Sequence, residues 1–83
     1  MYVKGPAEIP GRGTGAYRAQ PVVGAVRYSW AVSRERLVEL SATERDARLD
    51  FRDGPGRLTL RVSAVDAEGK ILGVGTREIV VGA

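Results

Sequence analysis

A chain of 83 residues with no cysteine and no histidine cannot form a disulfide or a thiolate metal site, and it cannot build a catalytic triad around an imidazole base. Its length allows one domain whose core needs nearly all of the large apolar residues, and a composition of 43% hydrophobic and 28% charged residues is that of a folded chain. The net charge of +3, from 13 basic and 10 acidic residues spread along the sequence, gives only a weak nucleic-acid footprint, and no apolar run approaches the roughly 20 residues that cross a bilayer.

The first segment, YVKGPAEI (residues 2 to 9), is β-prone but broken by Gly5-Pro6, which predicts a single strand at a sheet edge. PGRGTG (residues 10 to 15) is a turn cluster. It is not a dinucleotide-binding loop, because Ala16 stands at the third glycine position and a strand follows where a helix is required. AYRAQPVV reads as a second strand that ends near Pro21. GAVRYSWAVS then alternates, with Val26, Tyr28, Trp30 and Val32 on one face and Arg27, Ser29, Ala31 and Ser33 on the other.

SRERLVELSATERDARL is the one stretch where a helix competes, with good helix formers and a cap candidate at Ser33. Leu37, Val38 and Leu40 do not extend into an amphipathic stripe, so a short strand plus loop is the expectation. ARLDF alternates again, with Ala47, Leu49 and Phe51 opposite Arg48, Asp50 and Arg52, and DGPG (residues 53 to 56) is a strong turn signal. In RLTLRVSAVD the residues Leu58, Leu60, Val62 and Ala64 alternate with Arg57, Thr59, Arg61 and Ser63. DAEG (residues 66 to 69) turns the chain into a last strand, KILGVGTREIVV, whose Gly73 and Gly75 predict a bulge or a close contact. About seven short strands separated by turn signals predict an all-β antiparallel sandwich.

The order of these features resembles bacterial immunoglobulin-like modules of the polycystic-kidney-disease (PKD-like) kind, over nearly the whole chain. The resemblance is carried by Gly5-Pro6, Tyr17 with Ala19, the Tyr-x-Trp of Tyr28 and Trp30, the run from Gly56 through Ala64, and Asp66 with Gly69. After Trp30 the chain reads AVSRERL rather than the acidic, glycine-rich run of PKD domains proper, so fibronectin type III-like relatives fit as well. It implies a single immunoglobulin-like domain over residues 1–83, excised from a larger exported bacterial protein of the periplasm, cell surface or extracellular space.

Such a fold implies that Trp30 plugs a core shared with Tyr28, Leu49, Phe51, Leu58, Leu60 and Val62. Tyr2 and Tyr17 are the remaining candidates for a sugar-binding platform. Asp50, Asp53, Asp66 and Glu68 could line loops, but they lack the D-x-D-x-D-G pattern of a calcium loop, and no cleft is evident to hold a carboxylate pair. Arg48, Arg52, Arg57 and Arg61 would form one basic face for an anionic ligand or partner if their strands are neighbours; the plainer reading is a solvated, edge-protecting face. The sequence therefore points to a non-catalytic spacer or protein-interaction module, with no cofactor and no metal, and neighbouring domains of its parent protein as partners. The alternative is a binding module for polysaccharide or anionic surface polymer, through the arginines or loops. Homotypic pairing of edge strands is a third possibility, opposed by Gly5-Pro6 and by charged edges.

Overall fold

The computed structural model describes residues 1–10, 12–34, 36, 38–52 and 55–82. Among them are eight strands and no helix: β1 (Val3–Lys4), β2 (Glu8–Ile9), β3 (Gly13–Ala19), β4 (Arg27–Val32), β5 (Val38–Thr43), β6 (Asp46–Phe51), β7 (Gly56–Val65) and β8 (Ile71–Val81). They form two four-stranded sheets, in the orders β1-β3-β6-β5 and β2-β8-β7-β4. All pairings are antiparallel except β2 with β8, which is parallel.

Period-2 alternation explains how the sheets face each other. On β7, Leu58, Leu60, Val62 and Ala64 are buried, while Arg57 and Arg61 face solvent. β6 buries Ala47, Leu49 and Phe51, and β8 buries Ile79 and Val81. Val3, Ile9, Tyr17, Ala19 and Val38 complete the core. Leu49 and Leu60 retain no exposed surface, so each contributes roughly 1.5–3 kcal/mol of apolar burial.

Several boundaries differ from the sequence reading. The N-terminal segment is two strands, because Gly5 to Ala7 carry the backbone from one sheet to the other; this division raises the count from about seven to eight. β3 begins inside the glycine cluster, at Gly13. Gly15 is needed there, since a Cβ would stand 2.8 Å from the Tyr17 ring. Val26 precedes β4 and is 62% exposed, so it does not share the inner face of Tyr28, Trp30 and Val32. The helix-competing stretch forms β5 and β6 instead, joined by a tight turn in which Glu44 takes a φ of 45°. Glu35 and Leu37 from that stretch, and Asp53 and Gly54 of the DGPG signal, lie outside the described residues.

Of the two glycines of the last strand, Gly73 stands beside a bulge and Gly75 at a close contact. A bulge lies where Ala64 pairs with Gly73 and Val65 with Ile71, leaving Leu72 without an opposite residue. At Gly75 a Cβ would come within 2.9 Å of Val3 Cγ2 and of the Met1 carbonyl oxygen. Among the described residues no helix is long and apolar enough to cross a membrane.

Candidate functional site

The four arginines expected on one face are separated. Arg48 lies on β6 and Arg52 just after it, while Arg57 and Arg61 lie on β7, in the opposite sheet. The two pairs occupy opposite outer surfaces of the sandwich, so the condition for a single basic face, that these strands be neighbours, is not met. Arg48 Nε is 3.3 Å from Asp50 Oδ1, and Arg52 Nη2 is 2.8 Å from Glu39 Oε2. These pairs, together with Arg18 Nε and Asp46 Oδ1 at 3.3 Å, cover the outer face of the β1-β3-β6-β5 sheet with alternating charge. All three are largely exposed and contribute little stability.

The acidic residues considered for calcium are engaged separately. Asp50 Oδ1 accepts a hydrogen bond from Thr14 Oγ1 at 3.1 Å on the outer sheet face. Asp66 Oδ1 accepts from the backbone N–H groups of Glu68 and Lys70 at 2.9 and 2.8 Å, which ties the β7–β8 turn. Asp53 lies outside the described residues.

Trp30 occupies an inward position on β4, an edge strand, and is half-buried. It packs against the core alongside Tyr28 and Val32, and its indole N–H donates to the Glu44 carbonyl at 2.7 Å. Tyr28 is also half-buried, and its hydroxyl accepts the Val22 N–H at 2.9 Å. Leu49, Phe51, Leu58, Leu60 and Val62 are fully enclosed. The most deeply buried aromatic ring is instead Tyr17, only 2% exposed, which removes it from any sugar-binding platform.

Tyr17 belongs to a polar cluster that sequence reasoning did not find. Its hydroxyl donates to the Pro6 carbonyl at 2.6 Å, and Arg77 Nη2 donates to the Gly5 carbonyl at 2.7 Å. The two carbonyls belong to the backbone that crosses between sheets, where no ladder can satisfy them. Arg77 occupies an inward-facing position of β8, between Gly75 and Ile79; its Nε is buried and finds no acceptor among the described residues. Burial pushes the Tyr17 phenol up from 10.0 to about 12, with the nearby Arg77 charge opposing the rise. The one signal in the sequence was Arg77 itself, a charged residue at the parity of Gly73, Gly75, Ile79 and Val81.

No protein-family model matches the chain, and neither curated proteins nor solved structures provide a match.

Proposed function

We propose that the domain is a non-catalytic, immunoglobulin-like spacer or protein-interaction module of a larger exported bacterial protein, acting through geometry rather than chemistry. The sheet orders β1-β3-β6-β5 and β2-β8-β7-β4 support this reading, because they parallel the ABED and CFG sheets of an immunoglobulin constant-type domain. In that correspondence β1 and β2 are halves of a first strand shared between the sheets.

The observation that carries the spacer reading is the placement of the two ends. The Met1 ammonium lies 3.4 Å from the Val74 carbonyl, near the start of β8. The Gly82 N–H donates to the Ile9 carbonyl at 2.7 Å, beyond the end of the same strand. At about 3.3 Å per residue, the stretch between Val74 and Gly82 holds the ends on the order of 26 Å apart. Chain therefore enters at one end of an elongated body, 42 Å in its longest dimension, and leaves toward the other.

Tandem copies joined end to end test this by small-angle scattering. A maximum dimension that grows by an equal step with each added copy is the expected result. Growth with the square root of copy number, or turnover of a substrate by the folded single domain, overturns the reading.

A further inference from the structure

At the end of the sandwich where β1 begins, a depression of about 350 Å³ opens between Tyr2, Lys4, Arg18, Gln20, Pro21 and Arg45. Its lining contains three cationic side chains and no acidic one, and of the three only Arg18 has a carboxylate partner, Asp46 at 3.3 Å. Elsewhere on this outer face opposite charges neighbour each other, but Lys4 stands directly across from Arg18 in the β1–β3 register. Like charges placed opposite each other on paired strands are destabilising. Asp46 answers Arg18 alone, while Lys4 and Arg45 make no ion pair among the described residues.

The neutral members of the lining complete a donor set. Gln20 Oε1 accepts the Tyr2 N–H at 3.1 Å, which leaves the amide N–H groups of Gln20 to donate elsewhere. Tyr2 is 58% exposed and lines the groove together with the cations. Cationic and amide donors together suit an acceptor-only oxyanion, and the adjacent ring suits a compact body with an apolar face. Arg18 is already held by Asp46, so part of the set is positioned before any ligand arrives.

We propose that this groove binds an acidic sugar residue, with its anionic group held by Lys4, Arg18 and Arg45 and its ring seated against Tyr2. Carboxylate and phosphate present the same oxyanion chemistry, so a uronic acid and a phosphorylated sugar are the two sources to be separated. The site is distinct from the arginines of β7, and it stands whether or not the domain is a spacer.

Amide chemical-shift titrations of the intact domain test the proposal with four probes: trigalacturonate, glucose 6-phosphate, inorganic phosphate and maltotriose. At least one of the two acidic sugars is expected to give saturable shifts centred on Tyr2, Lys4, Gln20 and Arg45, and the tighter of them identifies the source. Inorganic phosphate should bind more weakly, maltotriose should shift nothing, and binding should weaken with added salt. The double variant Lys4→Gln, Arg45→Gln should lose affinity at least about tenfold, as expected for two charge-assisted contacts. The double variant Arg57→Gln, Arg61→Gln, on the other outer face, should change it by less than about twofold. Absence of saturable shifts with both acidic sugars, or an equal loss from the Arg57 and Arg61 variant, overturns the proposal. Phosphate binding as tightly as glucose 6-phosphate, without a tighter uronate, overturns the sugar assignment.

Discussion

The two flanks of the sandwich close the gap between the sheets in different ways. On one flank the backbone itself crosses, from β1 through Gly5 and Pro6 to β2, and brings two carbonyls to the inner margin of the sheets. On the other, between β4 and β5, the gap is filled by the indole of Trp30. A crossing backbone must have its polar groups satisfied, so its flank requires a ring that carries a hydroxyl and a guanidinium that reaches inward. A side-chain plug brings a single N–H and can stay partly wet. The smaller aromatic is therefore the more deeply buried: Tyr17 is sealed under the crossing, and Trp30 remains half-exposed.

Truncation should expose this difference most sharply. Tyr17→Ala is expected to cost roughly 3–5 kcal/mol and Trp30→Ala less than that, because a cavity under the crossing cannot be relieved by solvent. Chemical denaturation of both variants checks the order, and an equal or larger loss at Trp30 breaks the comparison. Gly5→Ala follows, at about 3 kcal/mol: a Cβ would lie 2.2 Å from Tyr17 Cδ1 on a residue whose φ is +156°. The same substitution at Gly69, where a Cβ meets nothing within 4 Å, should cost about 1 kcal/mol, arising from its φ of +86° alone.

Alkaline pH should act on the crossing flank through Tyr17. Because the folded-state value of Tyr17, about 12, exceeds the unfolded 10.0, the neutral phenol favours folding; its contribution is complete below pH 10 and is lost as pH rises through 12. The loss amounts to about 2–3 kcal/mol. Melting curves between pH 9 and 12 should show it in the native chain and not in Tyr17→Phe. Removing single hydrogen bonds gives smaller effects than this. Tyr17→Phe leaves the Pro6 carbonyl unsatisfied and should cost about 1–2 kcal/mol, whereas Trp30→Phe, whose bond to Glu44 is exposed to solvent, should lose that bond for less than about 1 kcal/mol beyond the change in ring size.

How much of this was legible in the sequence depended on whether a feature is local. The alternation of β6 and β7 was plain, because each residue's face follows from its own parity. The start of β3 was not, since Gly13 and Gly15 read as turn residues until the Tyr17 ring lies over Gly15. The division of YVKGPAEI into two strands depends on β3 and β8 lying in different sheets, which no residue within the segment specifies. The proposed groove was hidden for the same reason: Lys4, Arg18 and Arg45 are far apart in sequence and meet only through strand register. Arg57 and Arg61 were visible as an alternating pair, yet the sheet to which they belong separates them from Arg48 and Arg52.

The parallel pairing of β2 with β8 bears on how the domain responds to force. Tension applied at Met1 and Gly82 draws β2 and β8 in opposite directions along their own axes, so the bonds from Val80 N to the Ala7 carbonyl and from Gly82 N to the Ile9 carbonyl are sheared together rather than unzipped in turn. β1 slides along β3 under the same load, and the grips of Tyr17 on Pro6 and Arg77 on Gly5 lie between the two sliding pairs. The strand pairs on either side of the crossing that seals one flank at rest are thus also the first parts of the domain to bear tension.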